Sequence, residues 1–191
     1  MKILITGGAG FIGSHTADAL LEKGHQVRVF DNLSPQVHGD KAGIPGYLSK
    51  EVEFVKEDIR NRDALYQALE GIDAVYHLAA AVGVGQSMYQ VLEYVDVNSL
   101  GGATLLDILA NEQHSVEKVI VASSMSIYGE GQYSCPDCGM VFPKLRSDQQ
   151  LESKDWEMHC PNCDKFCSPS ATSEEKPLFP TSIYAITKRD H

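Results

Sequence analysis

The chain has 191 residues, of which 43% are hydrophobic, and it carries a formal net charge of −10. This length suits one domain, or one domain with a small insertion, that can bury a sizeable core. The acidic balance argues against a general nucleic-acid surface and against an anionic membrane surface. The start, MKILITGGAG, is not typical of a signal peptide, and no apolar stretch approaches the length of a transmembrane helix. We therefore expect a cytoplasmic protein with no nucleic-acid or membrane partner.

The first 31 residues predict a strand, a glycine-rich turn, a helix and a second strand. The strands are expected at 2–6 and 26–30, with the sequence GGAGFIG at 7–13 between them. Such glycines permit a tight turn and let a pyrophosphate approach the helix N-terminus. Alone, the motif is also compatible with a merely tight strand-to-helix turn. Asp31, 18 positions after Gly13, favours a dinucleotide site and would repel a 2′-phosphate, so NAD is favoured over NADP.

The next segment continues the alternation of strands and helices. The stretch 33–50 is rich in Gly, Pro and Ser and is expected to be a surface loop, with His38 solvated. The elements predicted after it are strands at 52–56 and 74–78 and, between them, a helix over 62–70 that Asn61 can cap.

Small residues follow the strand 74–78 at positions 79–81. They either leave room for a cofactor or simply pack tightly, and composition does not separate the two. A long helix is predicted over 90–112, and Asn98 lies within its apolar face. A buried amide needs a partner, so Asn98 is either a satisfied core residue or a group that pins the backbone behind a nicotinamide.

A fifth strand is predicted at 119–122, directly before two serines. Alternating strands and helices imply right-handed crossovers and an α/β fold with a doubly wound parallel sheet. Ligands of such sheets bind at the carboxyl ends of the strands. The residues that follow strands at that end are Gly7–Gly13, Asp31, Asp58, Ala79 and Ser124. Their convergence indicates a cofactor site more strongly than any single motif.

Taken together, these residues resemble the extended short-chain dehydrogenase/reductase family, and within it the NAD-dependent nucleotide-sugar 4-epimerases. The matching segments run from the start of the chain to its end, apart from a cysteine-containing segment. They are TGGAGFIG (6–13), Asp31-Asn32-Leu33, Asp58-Ile59-Arg60, His77-Leu78-Ala79-Ala80, Asn98, Ser123-Ser124, Tyr128-Gly129 and PTSIYAITK (180–188). The resemblance implies a Rossmann domain with NAD as its cofactor.

The resemblance also implies where the cofactor would contact the chain. Asp31-Asn32 would lie at the adenosine ribose and Asp58-Ile59 at the adenine. Tyr184 and Lys188 would lie at the nicotinamide ribose. The complete set of implied NAD-binding residues is Gly7, Gly10, Phe11, Ile12, Gly13, Asp31, Asn32, Asp58, Ile59, Leu78, Ala79, Ala80, Asn98, Ser123, Tyr184 and Lys188.

Tyr184 and Lys188 form a Tyr-x-x-x-Lys pair that a helix would place on one face. A tyrosine, with a pKa near 10, is a poor base at neutral pH, and a nearby ammonium lowers that pKa. The resemblance implies that Tyr184 takes the proton of the sugar 4-hydroxyl and that Ser124 helps this proton to move. The implied catalytic residues are therefore Ser124, Tyr184 and Lys188.

One departure from the family bears on the reaction. Dehydratases of the family carry Asp-Glu directly after the catalytic Ser or Thr, where this chain has Met125 and Ser126. Neither side chain can supply that acid or base, so epimerisation at C4 of a dTDP- or UDP-linked sugar is favoured over dehydration. Two alternatives stay open: an NAD-dependent nucleotide-sugar dehydrogenase or reductase, and a non-catalytic NAD-sensing binding protein.

All five cysteines lie between positions 135 and 167. An odd, clustered set in a chain without a signal peptide indicates a metal rather than disulfides. The predicted ligands are Cys135, Cys138, Cys160 and Cys163. Their two C-x2-C knuckles, 21 residues apart, can aim four thiolates at one tetrahedral zinc with S–Zn distances near 2.3 Å. Such a closed site leaves no position for water, so the zinc would be structural. His159 and Cys167 are alternative ligands, and we expect neither to bind the metal.

This segment interrupts the family pattern, and we predict that residues 130–176 form a zinc-ribbon insert. The NAD-binding domain would then comprise 1–129 and 177–191. Because Ser124 and Tyr184 flank the insert in sequence, we expect the ribbon to be a lid or wall over the sugar site.

The resemblance covers only part of the family's length. The segment Trp156-Glu157-x-x-Cys-Pro-x-Cys also resembles a bacterial subgroup assigned to dTDP-L-rhamnose 4-epimerisation. Family members continue beyond the catalytic helix into a smaller substrate domain, which we expect to be absent from this chain. We expect a homodimer at full length. The 191-residue chain alone is expected to bind NAD at best, without epimerase turnover.

Overall fold

The computed structural model describes residues 1–40 and 43–191, and its larger sheet confirms the predicted parallel architecture. The strands are β1 Lys2–Thr6, β2 Gln26–Phe30, β3 Glu53–Val55, β4 Ala74–His77 and β5 Lys118–Val121. They pair in parallel in the order β3-β2-β1-β4-β5. The direction of winding therefore reverses between β1 and β4. Ligands of open α/β sheets bind at such a reversal, outside the carboxyl ends of the strands.

Helices cover both faces of this sheet. The helices of the described residues are α1 Phe11–Glu22, α2 Pro35–His38, α3 Arg62–Ala68, α4 Val84–Ser87, α5 Val91–Tyr94, α6 Gly101–Asn111, α7 Asp148–Glu152 and α8 Ile183–Asp190, of which α7 lies within the predicted insert. Alternate residues of a strand point to opposite faces. Accordingly, Leu4 packs with Leu65 and Ile108 in one apolar cluster, while Ile5 packs with Ala17 in another. Within the described residues, no helix is long and apolar enough to cross a bilayer.

The helix predicted over 90–112 is present, but it changes character along its length. It begins as α5, widens into a π-helix over Val95–Leu100 and continues as α6. A π-helix inserts extra backbone into the helical repeat and occurs frequently at functional sites. Here the widened segment carries Asn98, whose side chain is fully buried.

The predicted loop 33–50 is folded against the sheet more closely than expected, although its residues 41 and 42 lie outside the described part. It contains the short helix α2, and the hydroxyl of Tyr47 donates to the carbonyl of Ala9 at 2.7 Å. The His38 side chain is only 6% exposed. The expectation that His38 is solvated is therefore wrong, because its ring turns toward Asp31 at the end of β2, with Nε2 4.0 Å from Oδ1.

A second, antiparallel sheet lies within the predicted insert. Its strands are β6 Gln132–Cys135, β7 Gly139–Val141 and β8 Ser168–Ser170, in the order β7-β6-β8. Its small buried cluster consists of Cys135, Val141, Cys160 and Cys167. So small an apolar core supplies little folding free energy. The insert boundaries at 130 and 176 stay a prediction.

Candidate active site and metal centre

The glycine-rich turn lies between β1 and α1, at the carboxyl end of the sheet. Gly7 has a φ of +67°, and a Cβ there would lie 2.8 Å from the backbone nitrogen of Ala79. A Cβ on Gly13 would lie 2.5 Å from the carbonyl oxygen of Gly7. Within the described residues, no side chain caps α1 at Gly10, and the exposed Phe11-Ile12 begins the helix. The first N–H groups of α1 therefore suit an anionic phosphate.

Asp31 follows β2 and is 9% exposed. Its Oδ2 accepts from the Ala9 N–H at 3.0 Å, its Oδ1 accepts from the Leu33 N–H at 2.8 Å, and His38 Nε2 lies 4.0 Å from Oδ1. An ionised carboxylate has about four acceptor positions. Each oxygen of Asp31 thus retains one position for a further donor, which fits the two hydroxyls of a ribose.

Asp58 follows β3 and has its acceptor positions filled by protein groups. Arg60 donates to it from Nε and Nη2, each at 2.7 Å, and from its backbone N–H at 3.0 Å. Asn32 donates a fourth hydrogen bond at 2.9 Å. The hydrogen bonds from Arg60 hold the pKa of Asp58 well below its usual range. Arg60 also pairs with Asp96 of the π-helix, and the Ile59 side chain is buried in the core.

Asn98 fixes the backbone that follows β4. Its Oδ1 accepts from the Ala81 N–H at 2.8 Å, and its Nδ2 donates to the Ala81 carbonyl at 3.1 Å and to Thr187 Oγ1 at 2.9 Å. The adjoining segment Leu78-Ala79-Ala80 is partly buried. Asn98 is therefore a fully bonded core amide that also ties this segment to α8. Its role behind a nicotinamide stays a prediction.

Helix α8 places Tyr184 and Lys188 one turn apart, as predicted. Ser182 caps the helix by accepting from the Ala185 N–H at 3.0 Å. Ser87 adds a second cap from a distant part of the chain, since its Oγ accepts from the Tyr184 N–H at 3.0 Å. The Tyr184 ring meets the buried Tyr94 ring edge to face, with centroids 6.4 Å apart. Sequence reasoning missed Ser87 and Tyr94, because no local pattern links residues so far apart.

The chain that follows β5 brings Ser123 to α8 and places Ser124 at the start of the next turn. Lys188 is 3% exposed and donates from Nζ to the Ala122 carbonyl at 2.8 Å, and burial lowers its pKa to about 8. Ser123 donates from Oγ to the Lys188 carbonyl at 2.8 Å. Ser124 Oγ accepts from the Ser126 N–H at 3.1 Å and so caps a 3₁₀-helix over Met125–Tyr128. Its own O–H can still donate to another group.

The four predicted metal ligands converge in the insert. Their sulfur atoms all lie within 4.8 Å of one another, and the Cys135 and Cys163 sulfurs are 3.5 Å apart. Tetrahedral zinc with the usual Zn–S length requires S···S separations of about 3.8 Å. Backbone N–H groups point at the sulfurs of Cys135 and Cys160, each at 3.4 Å. Neighbouring thiols raise the pKa of Cys138 to about 12, so full ionisation of the set needs a cation. The residues fit a zinc ion.

The two alternative ligands, His159 and Cys167, do not belong to the set of four. His159 lies 2.8 Å from Asp155 through Nε2 and 3.2 Å from Asp164 through Nδ1. Cys167 is buried beside the four cysteines but does not belong to the set that shares the 4.8 Å limit. That neither residue binds the metal stays a prediction.

Sequence comparisons identify relatives of this chain among known proteins. The profile of the NAD dependent epimerase/dehydratase family matches residues 3–143. A dTDP-L-rhamnose 4-epimerase from Burkholderia thailandensis is 34% identical over 189 residues, which are 98% of this chain and 50% of that protein. A UDP-glucose 4-epimerase from Klebsiella pneumoniae is 39% identical over 132 residues, which are 68% of this chain and 94% of that protein.

Solved structures show the same architecture. A UDP-glucose 4-epimerase from Thermus thermophilus in complex with NAD has a TM-score of 0.67 and 31% identity, covering 98% of this chain and 47% of that one. The dTDP-glucose 4,6-dehydratase DesIV from Streptomyces venezuelae, with NAD bound, has a TM-score of 0.69 and 27% identity, covering 100% and 49%. The chain thus spans about half the length of these two proteins and of the Burkholderia relative.

Proposed function

Because the chain belongs to the NAD dependent epimerase/dehydratase family, we propose that it carries the cofactor site and catalytic residues of a nucleotide-sugar 4-epimerase. The observation that carries this proposal is the arrangement at the end of β5. There Ser123 binds the backbone of Lys188, while Ser124 begins the adjoining 3₁₀-helix. Met125 and Ser126 follow, where dehydration would need an acid and a base. This arrangement favours inversion at C4 through a transient 4-keto sugar.

NAD is the cofactor that the residues fit best. The glycine turn leaves backbone N–H groups at the start of α1, and Asp31 keeps acceptor positions for a ribose diol. The negative charge of Asp31 disfavours a 2′-phosphate, so we propose NAD rather than NADP. When bound, NAD supplies the hydride acceptor for oxidation at C4.

The chain's own residues handle the proton of the sugar 4-hydroxyl. We assign Tyr184 as the base, with Lys188 one turn away on the same helix. Ser124 keeps an O–H that can bond the same hydroxyl oxygen and orient its proton toward Tyr184. The second cap, from Ser87, holds the backbone of Tyr184 in place while these groups act.

The substrate proposed for the site is a dTDP- or UDP-linked hexose. Its support is the named activity of the relatives, which act on dTDP-L-rhamnose and UDP-glucose. For the cysteine cluster we propose a structural zinc held by Cys135, Cys138, Cys160 and Cys163. Four thiolates close the coordination sphere and leave no position for a reacting water.

The test is to incubate the natural protein with UDP-, GDP- and dTDP-sugars and to look for the C4 epimer by NMR. We expect epimer formation with one of these classes and no net NADH release. Stoichiometric NADH release would instead identify a dehydrogenase or reductase. Binding of NAD without turnover of any sugar would favour a non-catalytic sensor.

Tyr184→Phe tests the proposed base. Tyr89→Phe is its matched control, because it removes the same hydroxyl from a tyrosine that is 90% exposed. General acid–base groups contribute about 10²- to 10⁴-fold to rate, so Tyr184→Phe should lower kcat by that order with NAD still bound. Tyr89→Phe should retain full activity. Equal activity of both variants would remove Tyr184 from the proposed mechanism.

A further inference from the structure

A hydrogen-bonded stalk joins the predicted zinc-ribbon insert to the turn that begins at Ser124. We call residues 124–128 the serine turn and residues 129–132 with 172–179 the stalk. At the base of the stalk, the Phe179 N–H donates to the Ile127 carbonyl at 2.8 Å. Gly129 has a φ of +67°, and a Cβ there would lie 2.3 Å from the Phe179 carbonyl oxygen. The two arms of the stalk therefore meet directly at the serine turn.

Lys176 occupies the centre of this junction. It is only 4% exposed. Its Nζ donates to the carbonyls of Tyr128 at 2.7 Å and Pro177 at 3.2 Å. The same ammonium lies 6.0 Å from the ring centroid of Tyr128 and 5.6 Å from that of Phe142. One ring belongs to the serine turn and the other to the ribbon, so Lys176 contacts both sides of the junction at once.

The bonded path continues from the junction to the metal centre. The Gln132 N–H donates to Thr172 Oγ1 at 3.2 Å, and Gln132 Oε1 accepts from the Ser173 N–H at 3.4 Å. Gln132 opens strand β6, which pairs with β8 and ends at Cys135. A single strand thus runs from the stalk to the first cysteine of the cluster.

We infer that Lys176 is a positioning residue that holds the serine turn, and with it Ser124, in place through the Tyr128 carbonyl. A buried ammonium is costly unless it is bonded, and here the shorter of its two hydrogen bonds goes to Tyr128, in the segment that begins at Ser124. The role in turnover rests on the proposed function, whereas the mechanical coupling between stalk and serine turn does not.

The first test of this role is kinetic and uses the natural protein. Lys176→Met removes the ammonium but keeps an apolar chain of similar length, and Lys154→Met is the control on an exposed lysine of the same insert. A misplaced catalytic group costs about tenfold to a hundredfold in rate. We expect such a loss in kcat for Lys176→Met, with KM and bound NAD unchanged, and no loss for Lys154→Met.

A double-mutant cycle separates positioning from general destabilisation. In a Ser124→Ala background, Lys176→Met should cause no further loss of kcat, because the residue that it positions is already absent. A further loss equal to that in the unaltered background would overturn the inference. If Lys176→Met fails to fold, Lys176→Gln, whose side chain is uncharged and one bond shorter, replaces it under the same criteria.

Hydrogen exchange tests the coupling without any turnover. The amides of Ile127, Gly129 and Phe179 donate within the junction, and their exchange should accelerate by about tenfold or more in Lys176→Met. Unchanged exchange would overturn the coupling itself. An unaltered protein that epimerises no sugar would overturn the proposed function and the catalytic role together, while faster exchange would still establish the coupling.

Discussion

At the residue scale, two carboxylates that occupy equivalent places in the sequence differ in how many of their hydrogen-bond acceptor positions are filled. Asp31 and Asp58 each follow a strand of the parallel sheet, and both were expected to contact the adenosine of NAD. Asp31 accepts two backbone hydrogen bonds and retains capacity, whereas Asp58 is filled by Arg60 and Asn32. This difference depends on side chains folding back from neighbouring positions, which a spacing pattern does not encode.

We predict that Asp31→Asn weakens NAD binding more than Asp58→Asn does. A hydrogen bond to a charged group is worth about 1.5–3 kcal/mol, so Asp31→Asn should raise the NAD dissociation constant by one to two orders of magnitude. Asp58→Asn breaks a partly exposed ion pair and should cost about 1 kcal/mol of stability or less. Calorimetric titration and chemical unfolding of both variants check this ordering. An equal or larger loss of affinity in Asp58→Asn contradicts it.

We predict that kcat/KM falls as pH rises above about 8. Burial lowers the pKa of Lys188 to about 8 from 10.5, so the positive charge one helical turn from Tyr184 is lost as pH passes that value. Titration of Lys188 would not cause the same decline in kcat/KM by destabilising the fold. Between pH 8 and 10.5 the unfolded chain binds more protons at this lysine, so its contribution to stability increases with pH.

The control for this pH dependence is Lys188→Arg, whose guanidinium keeps its charge throughout the range. The kcat of Lys188→Arg should be lower because the geometry differs. The decline of its kcat/KM at alkaline pH should move to higher pH. An unchanged decline near pH 8 in the arginine variant would assign the titration to another group.

At the scale of elements, the strands and long helices were predictable because hydrophobic periodicity and glycine turns are local signals. All five strands of the main sheet appear within about two residues of their predicted positions. The π-helix over Val95–Leu100 was not predicted, since its extra backbone leaves the apolar spacing almost unaltered. The cap that Ser87 gives to α8 was also missed, because the contact spans 97 positions.

We predict that Ser87→Ala lowers kcat through the position of Tyr184. Loss of a helix cap costs about 1 kcal/mol, and Asn61→Ala is the matched control because Asn61 caps α3 by accepting from Ala64 at 3.3 Å. Both variants should lose similar stability in chemical unfolding. Only Ser87→Ala should lose turnover, by about tenfold. Equal kcat values in the two variants would show that the cap is purely structural.

At the scale of the whole molecule, the main sheet and the ribbon have separate buried clusters. Two clusters flank the large sheet, and a third contains Cys135, Val141, Cys160 and Cys167. The C-x2-C spacing predicted the convergence of four cysteines, because each knuckle fixes two sulfurs locally. The stalk that joins the two units could not be predicted, because it depends on Lys176 reaching the backbone of Tyr128, 48 positions away.

We predict that removing the metal unfolds the ribbon while NAD binding persists. Trp156 is the only tryptophan of the chain and lies in the ribbon, so its fluorescence reports on the ribbon alone. A chelator should shift this emission, and Cys138→Ser should abolish stoichiometric zinc. Cys167→Ser, on a buried cysteine outside the set of four, should retain zinc. Unshifted emission after chelation, or loss of zinc in Cys167→Ser alone, would contradict the assignment.

The closeness of the insert's two ends has a consequence for how such a chain can be rebuilt. Ile127 and Phe179 are joined by a backbone hydrogen bond of 2.8 Å, and each doubling of the length of the segment between them changes the loop-closure cost by only about 0.6 kcal/mol. The segment between Ile127 and Phe179 can therefore be exchanged for another of different length. A short turn or an unrelated small domain grafted there would leave the parallel sheet intact.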